Sequence, residues 1–485
     1  MKEPWQGPLE KVDDYRWRIP RSYDPGMRVP GLIFADERML KNIIHDQALQ
    51  QVANVAHLPG IQKYSLAMPD IHWGYGAPIG GVAAMDVKDG VVSPGMVGYD
   101  INCGVRLIHT NLHVEDVQPK LKTLVTTLFN DIPCGVGQHG DIRVGREDAE
   151  RLLIEGAGWA VAHGYGVPED LDATEAGGAL DGADPEAVSE RAYQRGRNQL
   201  GTLGSGNHFL EVQAVDQIFS DAAKDLFALE PGQVTVMIHS GSRGFGYQNC
   251  DDYLKVCGQA MAKYDIRVPD RQLACVPIQS DEGRRYLGAM RASANYAWAN
   301  RQCLMFLMRR VFERVFQRSW QDLGLWLIYD VAHNIAKFER HRVNGEEKDV
   351  CVHRKGATRA FPPGHPDIPA KYRSVGQPVI IPGDMGRNSY LLVGTDGAMQ
   401  ETFGTTCHGA GRIMSRTQAV KEARGRSIER ELESQGIIVM GRGRTGVAEE
   451  QPKAYKDVNE VVDVVHNAGL AKRICRVRPL GVIKG

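Results

Sequence analysis

Tyr99-Asp100-Ile101-Asn102-Cys103-Gly104 follows a Ser93-Pro94-Gly95 turn signal and sets a carboxylate and a thiol three positions apart, between Gly98 and Gly104. If the bend brings both side chains to one side, they offer a hard oxygen and a soft sulfur to a single site, and a thiolate can bridge two cations. The same residues also suit a tight turn around a buried cysteine, which packs as a small apolar side chain. Distant segments weigh on that choice. Val234-Thr235-Val236-Met237-Ile238-His239 reads as a buried strand ending in histidine, closed by Ser240-Gly241-Ser242-Arg243-Gly244. Leu325-Trp326-Leu327-Ile328-Tyr329-Asp330-Val331-Ala332-His333-Asn334 repeats the pattern. Strand C-termini are where α/β proteins commonly place ligand contacts. Gly201-Thr202-Leu203-Gly204-Ser205-Gly206-Asn207-His208 is a glycine-rich loop entering an alternating strand. A period of two puts His208, Leu210 and Val212 on one face and Asn207, Phe209 and Glu211 on the other. Together Asp100, Cys103, His208, His239 and His333 predict a shared metal site.

The rest of the chain bounds what surrounds that site. Its 485 residues carry 58 basic and 59 acidic side chains, so no global basic field marks a non-specific nucleic-acid binder. Nine cysteines without a CxxC pair predict reduced thiols rather than a disulfide framework. The N-terminus lacks a signal-like apolar stretch and no apolar run reaches spanning length, which predicts a cytoplasmic protein with no membrane partner. Strand and helix patterns interleave throughout. They predict an α/β (mixed α+β) fold over residues 1–485 as one large domain, with a central buried mixed β-sheet region surrounded by helices. Residues 146–196, rich in Glu, Ala, Asp and Gly, read as a polar helical surface lobe without chemistry of its own.

Other stretches add candidates. Helical spacing runs from Arg38 to Val55. Asp70 and His72 alternate with apolar neighbours and would share a strand face, either as an acid orienting an imidazole or as a structural pair. Arg284 to Trp320 reads as a long amphipathic helix whose basic residues Arg301, Arg309, Arg310, Arg314 and Arg318 either form a solvated face, the default, or meet nucleic-acid phosphates. Arg354, Lys355 and Arg359 around Gly356 suit an anion. Val379 to Val393 predicts strand, turn and strand. Thr405-Thr406-Cys407-His408-Gly409-Ala410-Gly411-Arg412 is expected to open a helix running to about Glu433, whose free N–H groups and Arg412 would meet a phosphate. His408 at that mouth is either a hydrogen-bond donor or a nucleophile. The basic tail Lys472, Arg473, Arg476, Arg478 and Lys484 is either a loose cationic end or a segment folding Lys484 back over a nucleotide.

These strings resemble the RtcB family of GTP-dependent tRNA-splicing RNA ligases. The likeness rests on Gly98-Tyr99-Asp100-Ile101-Asn102-Cys103-Gly104, Gly204-Ser205-Gly206-Asn207-His208-Phe209-Leu210-Glu211, Ile238-His239-Ser240-Gly241-Ser242-Arg243-Gly244, Asp330-Val331-Ala332-His333-Asn334 and His408-Gly409-Ala410-Gly411-Arg412. Ala294-Asn295-Tyr296-Ala297-Trp298-Ala299-Asn300-Arg301 adds to it. The resemblance implies two Mn2+ ions bridged by Cys103, with Asp100, His208, His239 and His333 completing the shells, and His408 as the nucleophile that takes GMP. It implies nucleotide contacts from Asn207, Glu211, Asn334, Asp384, Ser389, Gly409, Ala410, Gly411, Tyr455 and Lys484. Arg412, Arg243 and Lys355 would hold phosphates or RNA. Cys407 stands before His408 where many members carry Ser.

The implied activity joins RNA 3′-phosphate or 2′,3′-cyclic phosphate ends to 5′-hydroxyl ends through a GMP-histidine intermediate and a GMP-activated 3′ end, in tRNA splicing or RNA repair. RNA and GTP are the expected partners, and an activating protein is a further candidate. Two alternatives stay open: a metal-dependent RNA phosphodiesterase or phosphatase, which needs neither GTP nor His408, and a non-catalytic RNA-binding protein.

Overall fold

Alternating apolar residues build two principal sheets, both mostly antiparallel, in a computed structural model describing residues 4–485. The first runs Glu10–Lys11, Arg16–Ile19, Gly31–Phe34, Ser65–His72, Ile79–Asp86, Glu346–Lys355 and Asn334–Val343 in spatial order. The second runs Trp326–Ala332, Gly104–His113, Gln233–Ser240, Phe209–Ile218, Ala471–Lys484, Ser389–Gly394 and Pro378–Ile381, with Ile438–Gly441 parallel to Ala471–Lys484. The fold is mixed α/β, as the interleaved patterns predict.

The 36-residue helix Asp281–Phe316 packs beneath the second sheet. Ser280 caps its start by accepting from the Gly283 N–H at 3.0 Å. Leu304, Met308 and Val311 form part of its core face. Two of its arginines are not solvated: Arg301 is fully buried and Arg309 nearly so. Arg301 forks onto Asp330 at 2.8 Å through both Nε and NH2, and donates to the carbonyls of Asn102 (2.7 Å) and Ser240 (3.0 Å). Arg106 and Trp298 also donate to Asp330. Arg309 forks onto Asp170 at 2.8 Å. A buried guanidinium persists only where carboxylate and carbonyls use its donors. Removing one partner strands the other, so Arg301→Met is expected to cost about 3–5 kcal/mol, read as a lowered melting temperature.

Other expectations need correction. Arg38–Val55 is two helices, Glu37–Ile43 and Ala48–Val55. The Asp46 carboxylate between them accepts from the Ala48 N–H at 3.0 Å and helps start the second. Residues 146–196 are helical, but Asp170 and Glu175 are buried and anchor the lobe to Arg309 and Lys337. The C-terminal segment is no loose tail. Ala471–Lys484 is a 14-residue strand inside the second sheet, with Ile474, Val477 and Val482 among its buried apolar residues. The helix expected from Thr405 to Glu433 is instead a strand, Thr405–Cys407, a loop, and two helices, Arg416–Glu422 and Ile428–Glu433. The strand pairs with Ala357–Arg359, a ladder that competes with helix formation, and Gly411 then takes a φ of +74° that no helix continues through.

Candidate active site

The Asp100–Cys103 turn is held from several sides. The Cys103 N–H donates to Asp100 O at 3.0 Å, Asn102 N–H to Asn334 O at 2.7 Å, and His333 N–H to Cys103 O at 2.9 Å. Asn102 adopts φ +51°, a left-handed conformation that asparagine tolerates. Gly104 is required by space, since a Cβ there would stand 2.3 Å from Val331 O and 2.8 Å from the Arg301 guanidinium. Hence the motif must end in glycine.

This turn brings Cys103 against two strand-end histidines. Its sulfur lies 3.1 Å from His239 Nε2 and 3.3 Å from His208 Nε2. His239 Nε2 is 3.2 Å from His333 Nε2, and His208 Nε2 is 2.8 Å from an Asp100 oxygen. Two donor sets result, Cys103/His239/His333 and Asp100/Cys103/His208, each with its ligand atoms within 4.8 Å of one another. They share the Cys103 sulfur.

The donor chemistry fits cations. Burial, reinforced by neighbouring imidazoles, holds His239 and His333 well below the usual histidine range. Burial works against Asp100, yet His208 and Arg243 bring its carboxyl down to about 2. Burial and then the Asp100 charge push the Cys103 thiol well up, so an ionised sulfur needs a cation beside it. Neutral imidazoles, a carboxylate and a thiol crowded within bonding distance leave more lone pairs than protons. A divalent ion resolves that conflict. His239 Nδ1 faces the Asn207 carbonyl at 3.1 Å, which fixes its ring.

The sets open into a cavity of about 210 Å³ lined from both sheets. Asn207, Phe209 and Glu211 face it, while Leu210 and Val212 pack in the core, as the period of two predicts. Asn334, Asp384, Ser389, Gly409, Ala410, Gly411, Arg412, Tyr455 and Lys484 also line it. Several are already engaged. Asn334 donates to Asp100 O at 3.0 Å and accepts from Gly356 N–H at 2.8 Å. The Asp384 carboxylate accepts from Arg387 Nε at 2.6 Å, and Ser389 Oγ accepts from Gly383 N–H at 3.0 Å. Arg412 donates to the Tyr455 hydroxyl (3.0 Å) and to the Met414 and Glu449 carbonyls.

Arg243 and Lys355 do not line this cavity. Arg243 stands behind His208, its NH1 3.2 Å from Nδ1. Lys355 Nζ donates to the carbonyls of Tyr75 and Gly95, at 2.9 Å for Gly95, and burial brings it down to about 7. An ammonium already spent on carbonyls in the protein interior is poorly placed for an anion, which corrects the expectation drawn from its glycine neighbour.

His408 lies on the loop, its ring 4.8 Å from that of His333. Its Nδ1 sits 2.5 Å from Asp70 Oδ2, which also accepts from the His408 and Gly409 N–H groups. The Asp70–His72 pairing is therefore different from that expected. Asp70 orients His408, whereas His72 Nδ1 faces the Asp70 carbonyl at 2.9 Å. Burial opposes ionisation of Asp70, but His408 and Lys456 hold its carboxyl below the usual value. An ionised carboxylate only accepts, so Nδ1 carries a proton, which in the neutral imidazole leaves the lone pair on Nε2. Two residues that the sequence did not single out also line the cavity: Arg416 and the buried Glu450, the latter 3.1 Å from Arg412 and 4.0 Å from Lys484. Glu450 lies in an unremarkable Glu-Glu-Gln run, and no local pattern marks it.

Glu211 is pushed up to about 8, first by burial and further by Asp384. A carboxyl raised from 4.5 to about 8 binds its proton more tightly folded than unfolded, so it costs stability progressively as pH rises through that window. Glu211→Gln is accordingly expected to raise the melting temperature of the nucleotide-free protein above about pH 8 and leave it unchanged below about pH 4.5, measured by scanning calorimetry.

Fold and site define a mixed α/β protein with two candidate metal-ligand sets that share one thiol, at a cavity that also holds an oriented histidine. Residues 51–485 match the family described as tRNA-splicing ligase RtcB. A tRNA-splicing ligase RtcB of Archaeoglobus fulgidus is 56% identical over 480 residues, covering 99% of each chain. One of Thermococcus kodakarensis is 54% identical over 478 residues, again 99% of each. An RNA-splicing ligase RtcB of Mycobacterium bovis is 52% identical over 438 residues, 90% of this chain and all of its own. The chain belongs to the RtcB family.

Proposed function

We propose that this chain is a GTP- and Mn2+-dependent RNA ligase that joins 3′-phosphate or 2′,3′-cyclic phosphate ends to 5′-hydroxyl ends, as in tRNA splicing or RNA repair. The observation that carries the reading is His408, tied through Nδ1 to buried Asp70 and leaving Nε2 free beside the shared-thiol donor sets. A phosphatase or phosphodiesterase would use the donor sets but has no need of an imidazole so oriented.

Asp100, Cys103 and His208 would hold one divalent ion and Cys103, His239 and His333 the other. Bound there, the ions would supply Lewis acidity and neutralise phosphate charge. Sulfur and imidazole donors favour zinc and copper by affinity, so manganese loading depends on supply. His408 Nε2 attacks the α-phosphorus of GTP. The N–P bond forms as the bond to pyrophosphate breaks, and the proton on Nδ1 stays there, hydrogen-bonded to the Asp70 carboxylate that offsets the charge on the ring. A cyclic RNA end is opened by water to a 3′-phosphate. An oxygen of that phosphate then takes GMP from His408, which leaves with its lone pair restored. The 5′-hydroxyl attacks the activated end, GMP departs, and the phosphodiester closes. Lys484, Glu211, Asp384, Ser389 and Tyr455 are proposed to hold the nucleotide, with Arg412 turned to its phosphates.

The test is joining of a 3′-phosphate RNA to a 5′-hydroxyl RNA by the full chain. Product requiring both GTP and Mn2+ supports the reading. Release of phosphate, or opening of a cyclic end without joining and without GTP, supports the phosphatase or phosphodiesterase instead.

A further inference from the structure

We propose that Lys456 is a positioning residue for the reaction: its side chain locks the segment that carries Asp70 and so fixes how His408 presents Nε2. The inference rests on the ligase reading above. Lys456 Nζ donates to the carbonyls of Pro69 at 2.9 Å and Ile71 at 2.5 Å, the residues on either side of Asp70. Its backbone N–H donates to Gly411 O at 2.9 Å. One residue thereby ties the Asp70 segment to the loop that follows His408.

That tie replaces a missing ladder. Pairing of Ser65–His72 with Ile79–Asp86 breaks register between Ala67 and His72, and pairing with Gly31–Phe34 ends at Ala67. Pro69 has no N–H to contribute. The stretch bearing Asp70 therefore lies where its strand neighbours hold it least, although the Asp70 carboxylate must keep three donors aligned. Gly411 is pressed against the same stretch, since a Cβ there would meet Asp70 O at 2.2 Å. Two carbonyls gripped by one ammonium set both the depth and the tilt of Asp70 between them. Burial brings Lys456 down to about 8, against the pull of Asp70, so it remains mostly charged at neutral pH. Lys456 is not among the residues lining the cavity, so its influence on the chemistry passes through Asp70.

The experiment is single-turnover GMP transfer to the full chain, with GTP and Mn2+, in Lys456→Met and Lys456→Gln. The methionine removes both donors at similar length, whereas the glutamine amide keeps a donor for one carbonyl. In Lys456→Met the transfer rate constant is expected to fall about tenfold or more, with half-saturating GTP moving less than about threefold. Lys456→Gln should fall between it and wild type, and if the methionine variant does not fold the glutamine variant decides alone. Folded variants at the wild-type rate, or a loss confined to half-saturating GTP, would overturn the proposal. If the wild type takes up no GMP, it is the ligase reading that fails. The link to Asp70 is then read from the His408 Nδ1 proton resonance, expected to shift or broaden in Lys456→Met; an unchanged resonance overturns it.

Discussion

Cys103→Ala is expected to lose both GMP transfer and RNA joining, by roughly a thousandfold or more, because one sulfur belongs to both donor sets. Loss of His208 or His333 removes a ligand from a single set, whereas loss of Cys103 opens both at once. The alanine also leaves His239 Nε2 facing His333 Nε2 without the sulfur 3.1 Å away. The measurement is a Co2+ titration followed by thiolate-to-metal absorption, together with the transfer assay. The band should be absent in the variant and present in wild type. Full activity in Cys103→Ala would show that the sulfur is a packing group.

The second large effect is expected at Asp70. Asp70→Asn keeps the volume but removes the charge that favours a proton on His408 Nδ1. The amide can also offer N–H where the imidazole needs an acceptor, reversing the tautomer. A nucleophile whose lone pair is on the wrong nitrogen is inert, so GMP transfer should fall at least about a hundredfold. Half-saturating GTP should change little, since Asp70 is fully buried and does not line the cavity. Rapid-quench kinetics of the folded variant check this, and a wild-type rate constant would remove Asp70 from the account.

How far the sequence reaches differs between parts of the site. The metal-ligating candidates were legible because each sits at a strand end or in a glycine-fenced turn, positions with strong local signals. Glu211 and Phe209 followed from a period of two. The partner of Asp70 was not legible: His72 is two residues away, His408 is 338 residues away, and local alternation favours the nearer. The same locality misled at Thr405, where a glycine-rich loop resembles a helix start until its pairing with Ala357–Arg359 is known. It misled again at the C-terminus, where Lys472, Arg473, Arg476 and Arg478 look like a solvated tail although Ile474, Val477 and Val482 of the same strand are buried. Arg301 shows the complementary limit. A helix pattern cannot tell an arginine facing water from one facing Asp330, because Asp330 comes from a different element.

The most direct measurement is the intact mass of the full chain after incubation with GTP and Mn2+, before and after acid, alongside His408→Ala. The account predicts an acid-labile increment of one GMP in the wild type, mapped to His408 and absent from the alanine variant. A wild type that gains no mass, or an increment that survives in His408→Ala, would contradict it.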